Sequence, residues 1–109
     1  MVYGITFDSQ AEAQYYMILK GREKAGEIRN LKRQVSYSLL PTARLTAEQT
    51  HGKPVTLRSC SYLVDFEFDD LKEQRHRWID VKGCRTKEFI IKKKMMWYLY
   101  HIYVEEITI

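Results

Sequence analysis

Alternation of apolar and polar positions is clearest over residues 55–68. Cys60, Tyr62, Val64, Phe66 and Phe68 share one parity, and Ser61, Leu63, Asp65 and Glu67 share the other. A period of two is that of a β-strand. A charged turn at 69–72 follows, and residues 73–82 read as the partner strand. There Trp78, Asp80 and Lys82 fall on one face, Ile79 and Val81 on the other, and Gly83 ends the run.

Upstream, residues 9–25 carry a helical pattern, with Ala13, Tyr16, Leu19 and Lys20 at spacings of three and four. Asp8 or Ser9 can cap its start and Gly26 can close its end. Residues 28–31 read as a link, and 34–40 as a strand with Val35, Tyr37 and Leu39 on one face that stops at Pro41. The polar stretch 42–54 reads as a loop with a helical turn at 46–49. Residues 86–100 form a second helical pattern, striped by Phe89, Lys93, Met96, Trp97 and Tyr100, and 102–109 a last strand. The final strand–helix–strand implies a parallel crossover. The fold class expected is α/β (α+β), in the order α-β-β-β-α-β, with helices packed on one mixed sheet.

At 109 residues the chain suits a single domain, 1–109. Hydrophobic residues make up 45% and charged residues 29%, which excludes a disordered chain. The net charge of +4 is compatible with a polyanionic partner without demanding one. Cys60 and Cys84 form no CxxC pair and read as two reduced, packed thiols. No signal-peptide pattern opens the chain, and no apolar run approaches the ~20 residues of a membrane span. A soluble cytoplasmic protein is expected.

The candidate chemistry lies in Asp65 and Asp80-Val81-Lys82. Residues two apart on a strand share a face, so Asp80 and Lys82 do. Pairing through the turn would bring Asp65 to the same point. Two aspartates, with the Val81 carbonyl, suit Mg²⁺, which takes oxygen ligands and keeps several waters. Lys82 could orient an attacking water or offset developing charge. The same residues could equally be surface carboxylates paired with lysine across a hairpin. Glu12 lies in the first turn of the first helix, where Ser9-x-x-Glu12 is also a capping box. Arg85, Lys87, Lys92, Lys93 and Lys94 follow the Asp-x-Lys strand and could meet a phosphate backbone, or form a solvated helix face. His51, His76 and His101 lack zinc-ligand spacing and read as incidental. Tyr15, Tyr16, Trp97, Tyr98 and Tyr100 read as core rather than as base-stacking platforms.

A helix bearing Glu, a strand bearing Asp, a strand bearing (Asp/Glu)-x-Lys, then a basic helix and a strand: this order resembles the PD-(D/E)xK nuclease superfamily and its restriction-endonuclease-like fold. The chain looks most like a small phage- and prophage-encoded family within it, catalogued as a domain of unknown function. The stretches that carry the likeness are Phe7-Asp8-Ser9-Gln10-Ala11-Glu12-Ala13, Gly26-Glu27-Ile28-Arg29-Asn30-Leu31 with Gln34, Tyr62-Leu63-Val64-Asp65-Phe66, and Asp80-Val81-Lys82-Gly83 with Thr86-Lys87. The resemblance implies Asp65 and Asp80 as metal ligands, Lys82 as the catalytic lysine, and Glu12 as a helix-borne acid near the metal. Gln34 would be a polar neighbour of the site. Val64 stands where the proline of the motif's name would be, and Asp80 where Glu is commoner. With no separate recognition domain, the implied activity is a Mg²⁺-dependent DNA endonuclease (Mn²⁺ could substitute), structure-directed or non-specific, acting on branched or replication intermediates. A homodimer is compatible with cutting two strands. The competing expectations are a non-catalytic nucleic-acid-binding module on the same scaffold, and a phage structural or interaction protein.

Overall fold

The computed structural model describes residues 4, 5, 7, 9–81 and 86–108. Helix α1 is Gln10–Lys24. The Ser9 hydroxyl accepts the Glu12 amide at 3.1 Å, and Gly26, at φ 76°, lets the chain turn back on the helix end. Its buried positions are Glu12, Tyr15, Tyr16 and Leu19. This i, i+3, i+4, i+7 stripe is rotated slightly from the expected one, and it carries a carboxylate toward the sheet.

The sheet has four strands: β1 (Ile28–Leu40), β4 (Cys60–Asp70), β5 (Arg75–Val81) and β6 (Val104–Ile107), in the order β1-β4-β5-β6. Both β1–β4 and β4–β5 are antiparallel, and β5–β6 is parallel. The parallel pair is joined by α3 (Lys87–Tyr100), the crossover that the pattern implied. With α1 on one side and α3 on the other, the layout is the α+β, restriction-endonuclease-like order expected from the sequence. Among the described residues, no helix is long and apolar enough to cross a membrane.

Three boundaries differ. Residues 28–31 are not a link but the start of β1, because Ile28 pairs with Asp70 and Arg29 with Asp69. Asn30 and Gln34 there have φ of 57° and 55°, which breaks the alternation a strand would show. The run 55–68 is two strands. Its first part, β3 (Val55–Leu57), pairs with β2 (Ala43–Leu45) rather than with the main sheet. Between β2 and β3 lies α2 (Ala47–Thr50), capped reciprocally by Thr46 and Gln49. The β4–β5 turn falls at residues 71–74, two positions later than the charges suggested.

The β2–α2–β3 arm leaves the far end of the β1–β4 ladder, where Leu40 pairs with Cys60. None of residues 41–59 is buried. The radius of gyration is 17.6 Å, against about 13 Å for a compact chain of this length.

Cores on the two sheet faces are built from one parity set. Phe66 and Phe68 pack with Tyr15, Tyr16 and Leu19 of α1, whereas Tyr62 and Val64 pack with Phe89 and Met96 of α3. The expectation that 60, 62, 64, 66 and 68 line one face is therefore corrected. On β1, likewise, Leu31 joins the α1 core while Tyr37 and Leu39 join the α3 core. The set changes sides at Gln34, whose left-handed backbone turns the strand.

The turn end of the sheet is tied by one buried carboxylate. Asp70, with 0% of its side chain exposed, accepts the amides of Lys72 and Glu73 on Oδ1, and Arg22 and Arg77 on Oδ2. Arg77 makes a two-pronged contact with Glu105 of β6 at 2.9 and 2.8 Å. Burial pushes the Asp70 pKa up, but the Glu73 amide and the two guanidiniums outweigh it and hold the group well below the carboxylate range. Asp70→Asn removes the carboxylate that Arg22 and Arg77 share, leaving Arg22 with Glu27 and Arg77 with Glu73 and Glu105, and is expected to cost about 2–4 kcal/mol in urea unfolding at pH 7. Because the folded pKa is depressed, this contribution is complete above about pH 4 and fades as pH falls through the folded value. A loss under 1 kcal/mol at pH 7 would show that the network is not what holds this end.

Candidate functional site

Strands β4 and β5 pair from Asp70↔Arg75 to Phe66↔Ile79, and one further step sets Asp65 opposite Asp80. At that step side chains take over from the backbone ladder. The Asp80 carboxylate accepts the Asp65 amide at 3.1 Å, and the Asp65 carboxylate accepts the Val81 amide at 2.9 Å. Each bond occupies one oxygen of its carboxylate. The register sets the two acids opposite one another, and Asp80 lies on the α3 side of the sheet, where it lines a cavity with residues of that helix.

Asp80 is 1% exposed, yet it forms the floor of a cavity of about 260 Å³. Ser61, Tyr62 and Leu63 of β4 wall it on one side, and Thr86, Glu88, Phe89 and Lys92 on the other. Thr86 caps α3, its hydroxyl accepting the Phe89 amide at 3.0 Å. The cavity therefore opens beside a helix N-terminus, where amide dipoles favour an anion. Lys92 pairs with Glu88 at 2.9 Å on its rim. Of the wall residues, the sequence singled out Lys92 in the basic cluster, Phe89 in the stripe of the second helix and Thr86 as that helix's first residue, but nothing in it joined them to Asp80.

Glu12 approaches from the other side. The capping-box alternative is met by half: Ser9 caps the helix, but the Glu12 carboxylate turns to the sheet. It accepts Gln34 Nε2 at 2.8 Å, and Arg33 lies 3.9 Å away. Gln34 sits between the pairs Arg33↔Phe66 and Val35↔Val64, hence opposite Asp65. Glu12, Gln34, Asp65 and Asp80 thus form a polar tract at one level of α1, β1, β4 and β5, with Gln34 bonded to Glu12 and the two aspartates each bonded to the other's strand. Among the described residues, no group of three or more His, Cys, Asp or Glu side chains is arranged to hold a metal ion. Lys82 and Arg85 lie outside the described residues, as does Cys84. Cys60 is a half-buried free thiol.

The basic cluster is divided rather than shared. Lys92 borders the Asp80 cavity, while Lys93 is turned to Glu106 of β6 at 2.6 Å and lies over the Tyr103 ring. Lys93 and Lys94 line a second groove with Ile90, Trp97 and Tyr103. Lys87 and Lys94 are the exposed lysines of α3. The aromatic residues also divide. Tyr15 and Tyr16 are core, but Trp97, Tyr98 and Tyr100 are exposed, which corrects their expected burial.

Four residues before Asp80 on β5, a histidine read as incidental is built into the sheet. His76 Nε2 lies 2.8 Å from Glu67, and Nδ1 lies 2.7 Å from Asp69. Buried Glu67 also accepts the Tyr37 hydroxyl at 2.9 Å, and that hydroxyl accepts Trp78 Nε1 at 3.0 Å. Only an imidazolium donates from both ring nitrogens. Burial lowers the His76 pKa, but the hydrogen bonds to Asp69 and Glu67 outweigh it and raise the value above that of free histidine. A raised folded pKa stabilises below the unfolded value near 6.5 and ceases to do so as pH rises through the folded value. His76→Gln is therefore expected to lose about 1 kcal/mol, allowing for solvent screening. The deficit should show between about pH 4.5 and 6 and close at alkaline pH. Denaturation midpoints across that range check this; a deficit that grows with pH would contradict it.

No curated protein and no solved structure matches the chain. One family model does, described as "Protein of unknown function (DUF1064)", and it matches residues 1–107. That span takes in α1, every strand and α3, and so the whole of the Glu12–Gln34–Asp65–Asp80 tract. The chain belongs to the DUF1064 family.

Proposed function

We propose that this protein is a Mg²⁺-dependent endonuclease that hydrolyses DNA phosphodiesters, structure-directed or without sequence preference. The observation that carries the reading is the opposition of Asp65 and Asp80 where the β4–β5 backbone ladder gives way, above a cavity beside the α3 N-terminus. The donor set fits a hard cation: two carboxylates at one point, all-oxygen, on a rigid sheet. Mg²⁺ commonly takes one or two protein carboxylates and completes its shell with water and substrate phosphate oxygens. Asp65, Asp80 and the Val81 carbonyl would hold it. When bound, it would polarise a phosphate and acidify a water.

The remaining roles belong to the chain's own groups. The α3 N-terminus and Lys92 favour a phosphate entering the cavity. Glu12 holds Gln34 in place, and Gln34 stands opposite Asp65, so the pair orients the site from the α1 side. Lys82, which the superfamily resemblance casts as the catalytic lysine, would steer the attacking water. Lys87, Lys94 and Arg85 would add salt-sensitive backbone contacts without reading sequence.

A non-catalytic nucleic-acid-binding module is the second reading. It is favoured by one observation, that no three acidic or histidine groups among the described residues are arranged to hold a metal.

Plasmid and branched DNA incubated in Mg²⁺ separate the two. Wild type is expected to nick or resolve substrate, Asp80→Asn and Lys82→Ala to fall to background, and Gln34→Ala to lose about 10–100-fold as an orienting neighbour. Salt-sensitive binding with no cutting by wild type would favour the binding module. Equal residual cutting by all three variants would sink the site assignment.

A further inference from the structure

Strands β1 and β2 are one line of chain interrupted at residues 41–42, and β3 and β4 are another interrupted at 58–59. The pairs Leu40↔Cys60, Ala43↔Leu57, Arg44↔Thr56 and Leu45↔Val55 keep one register across the gap. Within it, the Ser59 amide donates to the Thr42 hydroxyl at 3.2 Å. The β2–α2–β3 arm is therefore the far end of a single antiparallel ribbon. Its tip is α2, closed by the Thr50 hydroxyl donating to the Lys53 carbonyl at 2.6 Å. The molecule is drawn out to 59 Å in length, against 30 Å and 23 Å across.

The charges of the arm set it apart. Arg44, Lys53 and Arg58 are exposed, and none has a carboxylate partner among the described residues. Glu48 is the arm's one acid. By contrast, Arg22 faces Asp70, Arg77 faces Glu105, Lys92 faces Glu88 and Lys93 faces Glu106. Arg44 shares its face of the ribbon with Thr56, while Val55 and Leu57 fall on the other face. With no buried residue, the arm adds nothing to either core. An exposed element whose cations are left unneutralised complements a polyanion.

We infer that the β2–α2–β3 arm binds duplex DNA, gripping its phosphate backbone with Arg44, Lys53 and Arg58 away from the Asp65–Asp80 site. The choice of DNA among polyanions rests on the reading of that site proposed above. The spacing suits a duplex. At about 3.3 Å per residue, Arg58 lies about 23 Å along the ribbon from Asp65, and Thr56, opposite Arg44, about 30 Å. Base pairs rise about 3.4 Å each, so the arm's cations meet a backbone about 7–9 base pairs from the site. That is most of one helical turn. A two-stranded ribbon is also an element that the major groove admits. Phosphate contacts of this kind fix position and orientation without reading sequence.

Fluorescence anisotropy of a labelled duplex of about 20 base pairs, titrated with the full chain in EDTA at about 50–200 mM salt, tests it. The comparison is the triple variant Arg44→Gln, Lys53→Gln, Arg58→Gln. All three positions are exposed, and circular dichroism melting checks that the fold persists. Wild type is expected to lose affinity steeply with salt. The variant's log–log slope should be shallower by about 2–3, at about 0.9 per phosphate contact. The charge-keeping variant Arg44→Lys, Lys53→Arg, Arg58→Lys should retain the wild-type slope. A folded Gln variant with the wild-type slope overturns the inference, as does wild type that binds no duplex. Polyglutamate that displaces the label as well as unlabelled duplex does, charge for charge, would make the arm a site for acidic protein and also overturns it. Cutting in Mg²⁺ is scored separately. Wild type that cuts while the Gln variant keeps its slope sinks the arm alone; arm-dependent binding without cutting sinks the endonuclease reading alone.

Discussion

The register of β4 against β5 is the constraint on which the rest depends. Asp70 closes the turn by accepting two of its amides, and reaches Arg22 of α1 and Arg77 of β5 with its other oxygen. Arg77 passes the tie to Glu105 on β6. One side chain therefore locks a helix and three strands at one end of the sheet. A slip of one residue would turn every side chain of β5 to the opposite face. Asp80 would then leave the α3 side, and Val81 would leave the α1 core. A stabilising network thus sets the alignment of two acids about five residues away, by fixing the ladder between them.

The second device is the twist at Gln34. A non-glycine residue at positive φ costs about 1–3 kcal/mol, so the surrounding structure must hold it. Its benefit is geometric. Below it, β1 and β4 present their apolar parity to α1; above it, they present the same parity to α3. The polar tract sits at the change of sides. Glu12 reaches Gln34, opposite Asp65, from the α1 side, while the Asp80 cavity opens on the α3 side.

Beyond this centre, the molecule is open in two places. The β2–α2–β3 arm projects with no buried residue, and a two-stranded hairpin of three-residue strands is marginal alone. Its order comes from the Thr46 and Gln49 cap and from attachment to the long β1–β4 ladder. The outer face of α3 is the other opening, where Ile91, Tyr98 and Leu99 are exposed beside Lys87 and Lys94.

Much of the fold was legible in the sequence because it rests on local chemistry. Ser9, Gly26 and Thr86 mark helix ends by satisfying or releasing backbone groups, and the β5 alternation shows directly which residues face together. The β5–α3–β6 crossover followed from chain order alone. Asp65 and Asp80 could be set opposite one another from parity, because a hairpin leaves few registers. What the sequence could not show is whatever depends on a partner distant along the chain. The first third of β1 is strand because β4 pairs with it, although its own charges and two left-handed residues hide the period. Glu12 turns to Gln34 instead of completing its capping box because α1 docks that face on the sheet. His76 is bonded on both nitrogens only because β4 and β5 align Glu67 and Asp69 beside it. The lysines of α3 divide between two sides because packing, not spacing, sets which arc of the helix is covered. Local rules named the acids and their strands; the docking of α1 and the turn at Gln34 made them one tract.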